Sequence, residues 1–177
     1  MMSAKIYYLN FEGYWRENEL STIPKHSGVY CVYACTYDSI RNLANLRTLI
    51  DIKGAEDVCA SIAKPENWPN WRKHLREGEQ LCFSIAAVDD SSEIPRVEAG
   101  LVFHHKPPQD SEYHDSFPFE PTTVINTSGR NHFLDGTCVV HRTLPATSTS
   151  AIIEQAADRA TEKTEMQTAA NEGSHEA

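Results

Sequence analysis

The segment that surrounds Glu98 and runs to Phe119 constrains the fold most, because its apolar residues follow a helical period that two prolines then end. The side chains at helical spacing are Ile94, Val97, Leu101 and Val102. Pro95 suits a first helical turn, whereas Pro107 and Pro108 cannot continue a helix. The pattern predicts a partly buried helix with Glu98 near its N-terminal end. This carboxylate is either a solvated group favoured by the helix dipole or a ligand for a hard divalent cation such as Mg²⁺.

Two runs rich in Val, Ile, Thr and Tyr precede this helix. They extend from Gly28 to Tyr37 and from Leu46 to Ile52, and a polar connection joins them. This pattern predicts a β-hairpin. A short helix is predicted from Ala55 to Ala63, followed by a tryptophan-containing helical segment, NWPNWRKHL, and a strand from Gln80 to Val88. The predicted order is strand, strand, helix, helical segment, strand and the Glu98 helix.

That order, with the sequence Gly28-Val29-Tyr30 on the first strand and a glutamate on the last helix, resembles the GIY-YIG endonuclease superfamily. The resemblance is closer still to small stand-alone members, through YYLNFEGYWRE at Tyr7 to Glu17 and EAGLVFHHKPP at Glu98 to Pro108. It covers about residues 4 to 142. The implied fold is α+β, with a small mixed or antiparallel three-stranded central sheet, flanking helices and extra strands at both ends.

The resemblance implies metal-dependent cleavage of a phosphodiester, with Mg²⁺ or Mn²⁺ as the cofactor. This chemistry needs a cation held by a carboxylate, a base near the attacking water and positive charge near the developing phosphorane. Tyr30 matches the tyrosine of the first motif, and Glu98 matches the metal ligand. These two positions therefore retain a possible cation site and one hydroxyl that could handle a proton.

Four other catalytic positions, and one further residue of the second motif, depart from the superfamily pattern. The second motif falls on the sequence DIK, so that Asp51 replaces a tyrosine and Lys53 replaces a glycine. Ser61 stands where the helix arginine is expected, and a hydroxyl offers neither its permanent charge nor its fork of donors. Pro65 replaces a histidine, and Asp110 replaces an asparagine. Loss of one positioned donor costs on the order of hundredfold to thousandfold in rate.

The departures favour a degenerate nuclease fold that acts by binding nucleic acid or a protein partner, with no small-molecule cofactor. The alternative is a working DNA endonuclease with a rearranged site. In that case Asp51 and Asp110 would join Glu98 around the cation, and Lys53 or Lys64 would supply positive charge. A third hypothesis treats the acidic surface as a mimic of nucleic acid that occupies the basic groove of another protein.

Charge bears on nucleic-acid binding. The chain has 16 Lys and Arg against 25 Asp and Glu, a formal net charge of -9, whereas a domain that binds nucleic acid non-specifically usually has a basic face. The dense basic cluster contains Arg72, Lys73 and Arg76, beside Trp68 and Trp71. It is either an edge that contacts phosphates and stacks on bases, or a helix whose tryptophans pack on the sheet and whose basic side chains are solvated. The second interpretation is favoured.

Histidines suggest a different chemistry. His104 and His105, followed by His114 and Asp115, have the composition of a transition-metal site. However, consecutive side chains on a helix diverge by about 100°, so the paired histidines are expected on different faces rather than around one ion.

The ends of the chain predict the domain organisation. Residues 1–143 form the GIY-YIG-like domain, in which the GTCVVHR sequence ending at Arg142 adds an edge strand to the same sheet. Residues 144–177 form a polar acidic tail, flexible or weakly helical. The N-terminus lacks the features of a secretory signal, no long apolar run predicts a membrane segment, and the five cysteines form no CxxC pair. A cytoplasmic protein with reduced thiols is therefore expected.

Overall fold

The computed structural model describes residues 3–109, 111–129 and 133–143. Asp110 and the predicted tail, residues 144–177, lie outside the described residues. The chain up to Arg142 forms one compact unit. Within the described residues, no helix is both long and apolar enough to span a bilayer.

The described elements include seven strands and three α-helices. The strands are β1 (Lys5–Leu9), β2 (Glu12–Arg16), β3 (Gly28–Asp38), β4 (Leu43–Ala55), β5 (Gln80–Ala87), β6 (Thr122–Asn126) and β7 (Thr137–Val140). Of these strands, β3 and β4 are the longest. The α-helices are α1 (Val58–Ile62), α2 (Trp68–Arg72) and α3 (Ile94–His105). The predicted α+β class is confirmed, and the predicted hairpin, the strand that follows it and the Glu98 helix are present as β3, β4, β5 and α3.

β3 lies inside a four-stranded antiparallel sheet with the order β2-β5-β3-β4, so β4 is an edge strand. The first eight residues of β3 are all buried because both faces of the sheet are covered. Alternate side chains enter two different cores. Val29, Cys31, Tyr33 and Cys35 pack in the core that includes α3, and Tyr30, Val32 and Ala34 pack in the core that includes α1 and α2.

A second sheet has the order β1-β6-β7. β1 pairs in parallel with β6, and β7 pairs antiparallel with β6. The prediction that the C-terminal strand extends the central sheet is therefore wrong. The physical reason is α3, which contacts β4 on one side and β6 and β7 on the other. Leu9, Val124 and Cys138 cover α3 from the second sheet, within the same core as the residues of β3.

The ends of α3 agree with the sequence analysis. Pro95 lies in the first turn, and Lys106 ends the helix in the left-handed conformation with φ 49°, directly before the proline pair. All five cysteines are free thiols, as expected, and all except Cys59 are buried.

Candidate functional site

Tyr30 projects from β3 into the core beneath α1. Its side chain is 0% exposed, and its hydroxyl lies 3.0 Å from the Oγ atom of Ser61. Its ring meets the Trp71 ring edge-on, with 6.3 Å between the ring centroids. Burial raises the pKa of Tyr30 above the usual value of a phenol, although the hydrogen bond to Ser61 opposes the shift. Tyr30 is thus a neutral, enclosed phenol.

Asp51 is enclosed in the same way. It is 1% exposed and projects from β4. Its Oδ2 atom accepts a hydrogen bond from the indole Nε1 of Trp71 at 2.7 Å, and its Oδ1 atom accepts one from the backbone N–H of Ile52 at 2.9 Å. Burial raises the pKa of Asp51, and the bond from Trp71 opposes that rise. The carboxylate at the second motif position therefore ties α2 to β4. We call Tyr30, Ser61, Asp51 and Trp71 the enclosed cluster.

A pocket of about 320 Å³ opens at the edge of β4. Its lining residues are Asp51, Ile52, Lys53, Glu98, Ser111, Glu112 and Tyr113. Gln109 donates its backbone N–H to the carbonyl of Ile50 at 3.0 Å, so the segment after α3 returns along β4 and forms the outer wall. We call this space the β4-edge pocket. It brings three of the predicted site residues together: Asp51, Lys53 and Glu98.

Glu98 enters the pocket from α3 and accepts a hydrogen bond from the backbone N–H of Gly54. Burial raises its pKa to about 7, while the Gly54 bond and Lys53 oppose the rise and Asp51 adds to it. Gly54 permits this close approach. A Cβ atom there would lie 2.3 Å from Cγ2 of Ile94 and 2.9 Å from Oε2 of Glu98. The glycine thus allows the carboxylate of α3 to reach the edge of β4.

Acidic side chains outnumber basic ones in the lining of the β4-edge pocket. Among its lining residues, three carboxylates, those of Asp51, Glu98 and Glu112, face one ammonium group, that of Lys53. Burial and a hydrogen bond to Glu112 raise the pKa of Tyr113 to about 12, so its hydroxyl stays protonated at neutral pH. Because burial raises the pKa of Asp51 and of Glu98, protons neutralise part of this charge at neutral pH, and the net negative charge that disfavours a phosphate grows as pH rises.

The donors of the pocket are oxygens, which fits a hard divalent cation such as Mg²⁺ or Mn²⁺. Glu98 and Glu112 would hold such an ion, with waters completing the shell. Asp51 is less suited as a ligand, because both of its carboxylate oxygens already accept hydrogen bonds.

The predicted basic edge lies on and after α2. Arg72 pairs with Glu17 at 2.9 Å, and its guanidinium lies over the Trp68 ring at 5.0 Å. Lys73 and Arg76 are exposed, whereas Trp71 is buried. Trp71 thus packs on the sheet, as the favoured interpretation predicts. Its ring is therefore not available to stack on a base. A role of Arg72, Lys73 and Arg76 in nucleic-acid binding stays a prediction.

Sequence reasoning missed several parts of the site. Glu112 and Tyr113 follow the proline pair in a segment that carries no periodic pattern, so only the return of the chain along β4 reveals their place. The sequence assigned Trp71 to packing on the sheet. No local sequence pattern predicts its hydrogen bond to Asp51. Gly54 was detectable as a glycine at the end of a strand pattern, which often marks a close backbone approach.

Comparisons of the chain with family models, with curated proteins and with solved structures returned no match. The resemblance to the GIY-YIG superfamily therefore rests on the motif residues themselves.

Proposed function

We propose that this chain is a non-catalytic binding protein built on a GIY-YIG-like nuclease fold. The observation that carries this proposal is the enclosed cluster. Tyr30 and Asp51, at the two positions where the superfamily places its tyrosines, make internal hydrogen bonds and have no more than 1% of their surface exposed. A general base or a proton-handling hydroxyl must come within hydrogen-bond reach of the reacting atoms. The Tyr30 hydroxyl, which is enclosed against Ser61, does not meet that condition, and both carboxylate oxygens of Asp51 already accept internal hydrogen bonds.

The charge of the β4-edge pocket supports the same proposal. Cleavage of a phosphodiester needs positive charge near the phosphorane, and the pocket presents Lys53 against the carboxylates of Asp51, Glu98 and Glu112. Ser61, at the position of the expected arginine, is bonded to Tyr30 and supplies no charge. The positive groups that the chain lacks are therefore those that would stabilise the transition state of phosphodiester cleavage.

The pocket also favours one kind of partner. The exposed carboxylate of Glu112, together with Glu98 as it ionises, attracts a basic side chain more strongly than a phosphate backbone. The net charge of -9 acts in the same direction. The preferred partner is therefore a protein that presents a lysine or arginine to the β4-edge pocket, and nucleic acid is the second class to be tested.

A cleavage assay tests the loss of catalysis. Supercoiled, linear, branched and single-stranded DNA, and RNA, would be incubated with the protein in Mg²⁺ or Mn²⁺. The variants are Glu98→Gln and, as a matched control outside the pocket, Glu77→Gln. We expect no cutting by any of the three proteins. Cutting that Glu98→Gln abolishes and Glu77→Gln retains would overturn the proposal.

A working endonuclease is the second candidate function, because Asp51, Lys53 and Glu98 line one pocket whose oxygen donors fit Mg²⁺ or Mn²⁺. When bound, the ion would supply a Lewis acid at the phosphoryl oxygen. Glu98 and Glu112 would hold it, and Lys53 would supply positive charge in the same pocket. Cutting that depends on both Glu98 and Lys53 is the result this candidate requires.

Co-purification tests the partner. The full chain would be compared with Glu112→Lys, which reverses an exposed charge of the β4-edge pocket, and with Glu77→Lys as the control at an exposed site outside it. We expect a protein retained by the native chain and by the control to be lost from Glu112→Lys. Retention by all three would contradict a contact at this pocket. A captured protein that itself binds nucleic acid would favour the mimic hypothesis.

A further inference from the structure

Two consecutive histidines end α3 beside the loop that leads into β7. The Nε2 atom of His104 lies 2.7 Å from Oδ2 of Asp135, and the Nε2 atom of His105 lies 3.0 Å from the backbone N of Asp135. The ligand atoms of these three residues all lie within 4.8 Å of one another. The expectation that the two histidines point to different faces is wrong for their rings, whose centroids are 4.8 Å apart.

His105 is already arranged as a metal-binding imidazole would be. Its Nδ1 atom lies 2.9 Å from the carbonyl oxygen of Leu101, so Nδ1–H donates to that carbonyl. This bond fixes the tautomer and leaves the lone pair on Nε2, which is the arrangement that most metal-bound histidines have. Burial lowers the pKa of His105, so the neutral form is favoured. The Nε2 lone pair now accepts the N–H of Asp135.

His104 and Asp135 supply the other donors. Both are oriented toward the same space, and the side chain of Asp135 is 69% exposed, which gives an ion a route from solvent. Two imidazole nitrogens and one carboxylate oxygen suit Zn²⁺ and similar transition metals, whereas Mg²⁺ prefers a set made only of oxygens.

We propose that His104, His105 and Asp135 form a site for Zn²⁺ or a transition metal of similar preference. The ion takes Nε2 of each histidine and Oδ2 of Asp135, and water completes its shell. It replaces the hydrogen bond between His104 and Asp135 and the one from the backbone of Asp135 to His105. The consequence is a clamp that fixes the end of α3 to the loop before β7, in a region separate from the lining of the β4-edge pocket.

The test uses the untagged full chain after treatment with a chelator. Calorimetric titration with ZnCl₂ should give one site, and the unfolding temperature should rise with Zn²⁺, because an ion that binds only the folded state stabilises it. His104→Ala and Asp135→Asn should each weaken binding by about tenfold or more. Neither substitution removes the packed ring of His105, so both variants are expected to fold.

Two controls separate this site from others. His114→Ala removes an imidazole whose described contact is with the neighbouring Asp115, and it should leave the affinity for Zn²⁺ unchanged. Glu98→Gln should also leave it unchanged, which separates this site from the β4-edge pocket. The proposal is overturned if no site is titrated, if the affinity survives both His104→Ala and Asp135→Asn, or if Mg²⁺ displaces Zn²⁺ at similar concentration.

Discussion

The enclosed cluster and the β4-edge pocket divide the predicted catalytic residues between a sealed and an open environment. Tyr30 and Ser61 hydrogen-bond to each other between the central sheet and α1. Lys53 and Glu98 line a pocket that solvent reaches. Asp51 belongs to both, since it lines the pocket and accepts the indole N–H of Trp71. The same strand, β4, carries residues of both environments.

This contrast shows how one set of motif positions can serve two purposes. In the enclosed cluster, polar atoms satisfy one another, so their role is to stabilise the fold. In the pocket, charge is left partly uncompensated, and under the proposed function this charge attracts the partner. Substitutions in the first region should therefore change stability, and substitutions in the second should change binding and the pH dependence.

The largest effect is expected from Trp71→Phe, which breaks the enclosed cluster. The change leaves the Oδ2 atom of buried Asp51 without its donor and removes part of a buried ring, so we expect a loss of about 4 kcal/mol in the free energy of unfolding. Trp68→Phe is the matched control, since Trp68 donates only to the carbonyl of Ile62 and is partly exposed. Chemical denaturation measures both. Equal losses of unfolding free energy in the two variants would show that the hydrogen bond from Trp71 to Asp51 adds no extra stability.

The next effect is a pH dependence that Glu98 confers. Its folded-state pKa of about 7 exceeds the usual value of 4.5, so between these values the folded state holds a proton that the unfolded state releases. The free energy of unfolding should therefore fall as pH rises from about 4.5 to about 7, on the order of 3 kcal/mol, and then level off. Glu98→Gln should flatten this part of the curve. Asp51 remains in both proteins, and parallel curves for the two would contradict the prediction.

Gly54→Ala tests the contact between the pocket and α3. The added methyl group would meet Ile94 and Glu98 at less than 3 Å, so one of these side chains must move, at a cost of about 2 kcal/mol. Gly129→Ala is the control, since nothing lies within 4 Å of the added atom there, and it should change stability by about 0.5 kcal/mol or less. Thermal unfolding compares the two variants. Similar small effects would argue against a tight approach of α3 to β4.

The smallest effect is expected from Tyr30→Phe, which removes one hydroxyl and keeps the ring. The loss of its bond to Ser61 should cost about 1 kcal/mol, and partner binding at the β4-edge pocket should not change. Ser61→Ala and the double variant complete the cycle, which should give a coupling free energy of similar size. A loss of partner binding in Tyr30→Phe would contradict the purely structural role that is predicted for the enclosed cluster.

Local pattern was sufficient for the elements that carry strong periodicity. β3, β4, β5 and α3 have apolar runs or a helical period bounded by turn residues, so their type and place could be predicted. The pairing of β1 with β6 could not, because Lys5 lies opposite Thr122 and nothing local to either segment specifies that partner. The C-terminal strand was accordingly assigned to the wrong sheet.

The site was predictable to a similar degree. Motif positions led to Tyr30, Asp51 and Glu98, but their environments depend on side chains from distant segments. Trp71 and the segment after α3 decide whether a carboxylate is buried or accessible to solvent. Neither the spacing of residues nor the composition of the sequence predicts these two contacts. The clustering of His104, His105 and Asp135 likewise depends on a loop that meets the end of α3.

The hydrogen bond from Gln109 to Ile50 has a consequence for association between molecules. A strand edge with unpaired N–H and C=O groups is a template on which another chain can add a strand, which leads to aggregation. β4 is a long edge strand, from Leu43 to Ala55, and the wall of the pocket covers part of it. The segment that walls the β4-edge pocket therefore also shields part of the β4 edge from pairing with another chain, and a proposed partner that displaces it would have to cover that edge itself.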